Sequence, residues 1–217
     1  MSETRVTIVD YGLGNLYSVR RACESCGAVV EQTADAERIA AADRLILPGV
    51  GAFADGMSGL RERGLVEPVR AFVASGRPLL AICLGMQMLA DCSDEFGSHE
   101  GLGLIHGRVI PIPSTTTAGT PHRIPRVGWT ALDVVENAPW SETPLRSTTP
   151  GASVYLVHSY HFVCEDPSQL IAVSDYGGHP IASAIRAHNV VGFQFHPERS
   201  GPEGLLIMKT WLTDGAA

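Results

Sequence analysis

Short apolar runs alternate with helical patterns through the first part of this chain, and no other feature constrains its fold as strongly. The strand-like runs are 5–10, 28–32, 44–47 and 78–82. The helical patterns lie at 15–26, before Gly64, before Gly76 and at 86–91. Such alternation predicts a mostly parallel sheet with helices on both faces. Pro48 is expected to stop the third strand, because proline lacks a backbone donor.

The remainder of the chain departs from this alternation. Antiparallel ribbons, a further strand and a hairpin are predicted at 101–112, 128–135, 154–157, 181–186 and 190–195. Two stretches rich in Ser, Thr and Pro, 113–121 and 137–151, predict surface insertions, because strands resume on both sides of each. We therefore expect an α/β fold with antiparallel additions to a parallel sheet, in a single domain over 1–217.

The last helix is predicted to begin at Ser200-Gly201-Pro202-Glu203. This segment has the pattern of a capping box, with proline in the first turn. Leu205, Met208 and Leu212 are expected on the buried side of this helix.

Composition and charge exclude several classes of protein. Hydrophobic residues make up 45% and charged residues 18% of the 217 residues, which excludes a disordered chain. The 16 Lys and Arg against 23 Asp and Glu give a net charge of −7, which is unsuited to binding the phosphate backbone of nucleic acid. No segment predicts a membrane helix or a signal peptide. The five cysteines are an odd number, and they predict reduced thiols in a cytoplasmic protein.

The segment around Cys83 carries the strongest chemical signal. An apolar strand runs into Cys83 and a helix follows at once, with the small residues Ala81 and Gly85 two positions away on either side. This is the spacing of a nucleophile elbow, whose sharp turn leaves no room for bulk at those positions. The helix dipole and free N–H groups would stabilise a thiolate there. A buried structural cysteine is the alternative, since cysteine is among the most often buried residue types.

A thiol nucleophile needs a base and a group that orients the base. His196 follows an apolar strand, and the carboxyl ends of parallel strands meet at one edge of a sheet, so His196 can lie beside Cys83. Glu198 points the same way as His196 in extended backbone and can hold the imidazole in the useful tautomer. A lone His-x-Glu would more often be a surface pair, but combined with the elbow it predicts a catalytic triad.

Acyl transfer also needs N–H donors for a developing oxyanion. Leu84, next to the predicted nucleophile, offers one donor. Pro48-Gly49-Val50-Gly51 offers another, because two glycines in four positions let the backbone approach a ligand closely. An ordinary Pro-Gly turn is the alternative for this segment.

Other motifs are weaker. Gly12 and Gly14 follow the first strand as in a dinucleotide-binding loop, but Tyr17 occupies the place of the third glycine. Cys23 and Cys26 have redox or metal spacing but lie on an apolar helical stripe, which favours core packing. Five other histidines show no metal-ligand spacing and no local acid that suggests a role: His99, His106, His122, His179 and His188. We expect no metal and no cofactor.

Several separated segments together resemble a known family. Cys83-Leu84-Gly85-Met86-Gln87, His196-Pro197-Glu198 and Pro48-Gly49-Val50-Gly51 resemble the class I, triad-type glutamine amidotransferases. Within that class, Asp10-Tyr11-Gly12-Leu13-Gly14-Asn15, Val127-Gly128-Trp129 and Val157-His158-Ser159-Tyr160 are similar to the glutaminase subunits of imidazole glycerol phosphate synthases. The resemblance covers about residues 5–212 and implies the class I amidotransferase fold, a three-layer flavodoxin-like sandwich.

The resemblance also implies roles for these residues. Cys83 would attack the side-chain amide of glutamine to form a thioester, His196 would transfer protons, and Glu198 would orient His196. The backbone of Val50 or Gly51, with that of Leu84, would form the oxyanion hole. The residues expected to hold glutamine are Gly49, Gln87, Ser159 and Tyr160.

A partner is implied as well. A cyclase subunit with a (β/α)₈ barrel would receive the ammonia and make imidazole glycerol phosphate and an aminoimidazole carboxamide ribonucleotide, in histidine biosynthesis. Tyr11, Gly12 and Asn15 would lie near the interface of this heterodimer. Only neutral ammonia is a nucleophile, so a closed route between the subunits would keep it reactive.

Three positions depart from the family pattern. Two other hypotheses about the function also stay open. Arg199 stands where Lys is usual, and Arg126 and Thr130 stand where His and Asn are common. The chain could be the glutaminase of another synthase, such as pyridoxal phosphate synthase, or a non-enzymatic redox sensor built on Cys83. The His-Pro-Glu segment argues against the sensor, which needs no positioned base.

Overall fold

The computed structural model describes residues 3–136, 138 and 140–214. Its strands are β1 (Arg5–Val9), β2 (Val29–Thr33), β3 (Leu45–Gly49), β4 (Leu79–Cys83), β5 (Cys92–Ser93), β6 (His99–Glu100), β7 (Gly107–Pro111), β8 (Arg126–Ala131), β9 (Asp133–Val134), β10 (Ser153–His158), β11 (Tyr160–Cys164), β12 (Leu170–Tyr176), β13 (His179–Ala187) and β14 (Val190–Phe193). Its α-helices are α1 (Leu16–Ser25), α2 (Ala36–Ala41), α3 (Phe53–Glu62), α4 (Val66–Ala74), α5 (Leu84–Met88) and α6 (Gly201–Thr213).

The central sheet has the order β2-β1-β3-β4-β14-β13-β12-β9. Its first five strands pair in parallel, and the last three are antiparallel additions. The predicted α/β fold and the predicted hairpin, formed by β13 and β14, are therefore confirmed. Two smaller sheets, β10-β8 and β11-β7-β5-β6, stand beside the central one.

A separate apolar core covers each face of the central sheet. One core holds side chains of α3, α4 and α5, including Phe53, Phe72 and Met86. The other holds side chains of α1 and α6, including Val19 and Trp211. Helices on both faces of one sheet make three layers, as the sequence predicted. Cys23 is fully buried in the second core and Cys26 packs against it, which confirms the packing interpretation of this pair.

The structure corrects two predictions about proline and capping. Pro48 lies within β3, where it pairs with Ile82, and the strand continues to Gly49. Ser200 is the N-cap of α6, but its side chain makes no capping hydrogen bond to the residues that the structure describes. Its hydroxyl instead donates to the carbonyl of His196 at 2.6 Å and accepts from the N–H of Tyr155 at 3.0 Å. The serine thus holds the turn that carries His196.

Two predictions about burial were wrong. Leu205 is 37% exposed, while Met208 and Leu212 are buried as expected. Residues 113–121 form the predicted exposed loop, but the described part of 137–151 is not merely a surface insertion. Trp140 and Leu145 join the core, and the indole N–H of Trp140 donates to the carbonyl of Ile171 at 2.8 Å. Residues 137 and 139 lie outside the described part of the chain.

Helix α2 has no counterpart in the sequence predictions, because its 6 residues are too few for a clear helical period.

Among the described residues, no helix is long and apolar enough to cross a membrane.

Candidate active site

Three neighbouring strands of the central sheet end at one cavity. Strands β3, β4 and β14 are adjacent and parallel, so their carboxyl ends meet at the same edge. The cavity has a volume of about 240 Å³. Its wall consists of Val50, Gly51, Cys83, Leu84, Gln87, Glu95, Pro125, Val157, His158, Ser159, Tyr160 and His196. Most of the predicted site residues therefore share one cavity, and Glu198 lies directly behind it.

The backbone at Cys83 has the geometry of a nucleophile elbow. Cys83 has φ of 56° and ψ of −112°, a conformation that costs a non-glycine residue of the order of 1–3 kcal/mol. Close packing enforces it: a Cβ at Gly85 would collide with the carbonyl oxygen of Leu47. A Cβ at Gly49 would lie 2.7 Å from the Tyr11 hydroxyl oxygen. The small residues around the cysteine are thus required by the turn itself.

His196 and Glu198 form a buried pair beside the thiol. The Nδ1 atom of His196 lies 2.9 Å from Oε1 of Glu198, and both side chains are almost inaccessible to solvent. Burial alone would lower the pKa of His196. Hydrogen bonds to Cys83 and to Glu198 outweigh burial and hold this pKa above its usual range. A histidine that keeps its proton between a sulfur and a carboxylate is equipped to stabilise a thiolate and then to protonate a leaving group.

The predicted oxyanion residues line the same cavity. Gly51 follows β3 with φ of 103°, a conformation that favours glycine, and Val50 is 38% exposed. Leu84 is the first residue of α5, directly after Cys83. Residues that follow two separate strand ends therefore line the cavity that holds Cys83, and a site for acyl chemistry needs backbone donors in such positions.

The predicted glutamine-holding residues are joined by hydrogen bonds. Gln87 is buried, and its Nε2 donates to the carbonyl oxygen of Tyr160 at 3.0 Å. The same Nε2 donates to Oε1 of Gln194 at 2.9 Å. Ser159 lies beside Tyr160 in the cavity wall, between β10 and β11. Gly49 ends β3 against the elbow.

Sequence reasoning missed five residues at this site, among them Val157 in the cavity wall. Glu95 lines the cavity, and its carboxylate accepts from the N–H of Phe53 at 2.5 Å. His158 and Pro125 line it as well. Gln194 lies behind Cys83 and precedes His196 by two positions. Residues two apart in extended backbone point the same way, and this rule, which linked His196 to Glu198, could also have identified Gln194. Glu95 and Pro125 follow no such local pattern.

The residues expected near a partner interface occupy different environments. Tyr11 is buried, and its hydroxyl donates to the carbonyl of Pro48 at 2.7 Å. Burial, and secondarily Cys83, raises the pKa of this hydroxyl. Gly12 is exposed. Asn15 donates from Nδ2 to Oε1 of Glu198 at 3.4 Å, so this segment reaches the predicted triad.

Two of the three departures from the family pattern contact each other. Arg126 is buried, and its guanidinium donates to the Thr130 hydroxyl at 2.7 Å and to the Ser174 hydroxyl at 2.8 Å. Burial lowers its pKa. Arg199 lies with its guanidinium carbon 5.4 Å from the centre of the Tyr155 ring. Arg126 and Thr130 thus form one hydrogen-bonded unit, and Arg199 stands apart from it.

One acid–histidine contact was also missed. Nδ1 of His106 lies 3.1 Å from the carboxylate of Asp91, and Glu165 completes an exposed group whose possible ligand atoms lie within 4.8 Å of one another. The sequence spacing did not reveal this contact, because the acid is close to His106 in space and not in sequence.

Comparison with known proteins shows the family of this chain. The family model described as "Glutamine amidotransferase class-I" matches residues 7–214. The chain belongs to the class I glutamine amidotransferase family. This amidotransferase is 47% identical over 208 residues to "Imidazole glycerol phosphate synthase subunit HisH 1" of Legionella pneumophila (strain Lens), across 95% of this chain and 98% of that protein.

Other relatives and solved structures extend the comparison. The amidotransferase is 44% identical over 208 residues to the HisH subunit of Rhodopirellula baltica, with 96% of this chain and 97% of that protein covered. Its fold is similar to a chain in a structure of PurLQS from Thermotoga maritima, with a TM-score of 0.74 at 19% identity and full coverage of both chains. A glutamine amidotransferase from Thermotoga maritima gives a TM-score of 0.61 at 16% identity, covering 91% of this chain and 77% of that one.

Proposed function

We propose that this amidotransferase is the glutaminase subunit of an imidazole glycerol phosphate synthase, and that residues 1–217 act as one domain. The single observation that carries the chemistry is the buried His196–Glu198 pair placed against Cys83 at the ends of adjacent strands. The HisH relatives supply the identity of the synthase. The cytoplasm is the location that fits a protein with five free thiols.

The reaction begins at the sulfur of Cys83. The thiolate, with its proton on His196, attacks the side-chain amide carbon of glutamine. N–H groups of Leu84 and of Val50 or Gly51 stabilise the oxyanion that forms. His196 gives its proton to the amide nitrogen, the C–N bond breaks, and ammonia leaves a glutamyl thioester. Water then attacks the thioester and gives a proton to His196, which restores the Cys83–His196 pair and releases glutamate.

Other cavity residues hold the amino-acid end of glutamine. Glu95 offers a carboxylate to the α-ammonium group. The backbone N–H groups of Ser159 and Tyr160 suit the α-carboxylate, and the Oε1 atom of Gln87 is available to the substrate because its Nε2 is already engaged. Gly49 keeps the β3 end close to the elbow.

The ammonia passes to a (β/α)₈-barrel cyclase subunit in a heterodimer. Ammonium forms in neutral water and is not a nucleophile, so the cavity mouth is best covered by the partner. Exposed apolar side chains stand beside the cavity wall, where Val127 is 55% and Trp129 is 58% exposed. Gly12 and Asn15 offer the other side of the proposed interface.

Glutamate release from glutamine tests this proposal, measured with and without a (β/α)₈-barrel cyclase subunit and its nucleotide ligand. We expect activity that rises strongly only in the complete mixture and that is abolished in Cys83→Ala. Cys92→Ala is the matched control, because Cys92 is a partly exposed thiol outside the cavity. Activity that the cyclase does not change would assign the glutaminase to another synthase. Full activity in Cys83→Ala, or none in the wild type with the cyclase, would disprove the proposal.

A further inference from the structure

The side chain of Gln194 contacts the sulfur of Cys83 from behind the cavity. Gln194 follows β14, whose last residue, Phe193, pairs with Ile82 of β4, so it stands level with the nucleophile. Its side chain is fully buried, and its Nε2 donates to Sγ of Cys83 at 3.7 Å. Its backbone N–H donates to the carbonyl of Ser183 at 2.9 Å, which fixes the residue to β13.

The orientation of two neighbouring side-chain amides determines that Gln194 donates this hydrogen bond to the sulfur of Cys83. The carbonyl of Tyr160 can only accept, so the Nε2 atom of Gln87 must face it. The second N–H of that amide then faces Oε1 of Gln194. With its oxygen engaged in this way, Gln194 must present its N–H group to Cys83. Two side-chain amides therefore connect the cavity wall to the reacting sulfur.

We propose that Gln194 is a further catalytic residue, whose amide N–H stabilises the Cys83 thiolate and holds Sγ in position for attack. Gln87 acts on the sulfur through Gln194, as a positioning residue. The inference rests on the proposed function, since it takes Cys83 as the nucleophile. A hydrogen bond from a buried donor favours the charged form of its acceptor, and a fully buried amide is not replaced by water when the bond is lost.

Alkylation of Cys83 by iodoacetamide as a function of pH tests the inference on the isolated chain, with the modified peptide identified by mass spectrometry. Gln194→Met has a similar shape and no donor. Gln194→Glu keeps the acceptor for Gln87 and, where it is ionised, has no donor. We expect the midpoint of the alkylation profile to move up by about one pH unit or more in both variants. We also expect kcat for glutamate release with the cyclase to fall about 10- to 100-fold, while KM changes little.

Gln32→Met is the matched control, because Gln32 is an exposed glutamine on β2 at the far edge of the sheet. Its profile should coincide with that of the wild type. An alkylation midpoint that stays in place in the folded Gln194 variants would overturn the inference, even if kcat falls.

A measurement on the unmodified protein covers the case in which neither variant folds. The side-chain Nε2–H resonances of Gln194 should shift with pH at the same midpoint as the alkylation of Cys83. Resonances that do not move through that midpoint would overturn the inference. The alkylation and resonance measurements use neither glutamine nor cyclase, so a failure of the proposed function would appear separately, as absent glutamate release.

Discussion

Two buried histidines of the same cavity prefer opposite charge states. His196, after β14, lies between Cys83 and Glu198, and these partners hold its pKa above the usual range although burial opposes them. His158, at the end of β10, is as deeply buried, and burial lowers its pKa to about 3. Its Nδ1 donates to the Tyr160 carbonyl at 2.9 Å.

The difference shows that partners, and not burial, decide which histidine carries charge. A backbone carbonyl is a neutral acceptor and compensates little for lost hydration, whereas a carboxylate and a thiolate compensate fully. Within the described part of the chain, Nε2 of His158 has no hydrogen-bond partner. His158 is thus a neutral part of the wall, and His196 is the only one of the two suited to acid–base work at neutral pH.

We expect the largest fall in the rate of glutamate release when Glu198 loses its charge. His196 then lacks a carboxylate partner, as His158 does. Glu198→Gln keeps the shape and keeps an oxygen for Nδ1 of His196. Replacing a triad carboxylate by its amide costs about 10⁴ in rate in well-studied proteases, so we expect glutamate release to fall at least about 10³-fold. The pH profile of Cys83 alkylation should move upward, because the imidazolium that favours the thiolate is lost.

Glu203→Gln is the control for this experiment, since Glu203 lies in the first turn of α6 outside the cavity. Loss of less than about tenfold in Glu198→Gln would mean that Cys83 alone holds the charge on His196 against the effect of burial. The contrast between the two histidines would then not depend on the carboxylate.

The cluster of Cys83, His196 and Glu198 and the parallel sheet were predictable because both follow local rules. Strand ends converge at one edge of a parallel sheet, residues two apart point the same way, and an elbow excludes bulk at Gly85. Ser200 shows why the capping of α6 could not be predicted in the same way. Its pattern with Glu203 satisfies the capping rule, but Tyr155, from a distant strand, competes for the hydroxyl.

Measuring the free energy of unfolding as a function of pH tests the charge state of His158. The unfolded chain binds a proton at His158 below about pH 6.5, and the folded chain does not until about pH 3. The unfolded state therefore binds more protons in this range, and stability rises with pH. We expect His158 to lower the free energy of unfolding by about 2 kcal/mol between pH 7 and pH 5.

His158→Asn isolates this contribution. The Asn amide can replace the Nδ1 donor to Tyr160 and does not titrate, so the loss of stability on acidification should be smaller by about that amount. His161, whose pKa burial also lowers, is present in both proteins and cancels in the difference. Denaturant unfolding at several pH values gives the two slopes. Equal slopes would contradict a neutral His158 in the folded state.

The predicted role of Asn15 concerned the interface, and no local pattern linked this residue to Glu198. The two residues are 183 positions apart, and they meet because α1 packs on the same face as the turn before α6. A contact of this kind depends on how layers stack, which a short stretch of sequence does not encode. The same holds for Arg126 and Ser174, which belong to different sheets.

Asn15→Ala should give the smallest effect on the charged histidine. Its hydrogen bond to Glu198 is 3.4 Å long, near the limit at which such bonds contribute, and the carboxylate keeps His196 as its main partner. We expect about a two- to fivefold lower rate of glutamate release at saturating cyclase, and an alkylation profile close to that of the wild type. Asn15 makes no side-chain cap to the described part of α1, so the change should not unravel that helix. A weaker affinity for the cyclase with an unchanged saturated rate would assign Asn15 to the interface alone. A loss greater than about 100-fold together with an alkylation profile displaced to higher pH would mean that the charge of His196 depends on Asn15 as well as on Glu198.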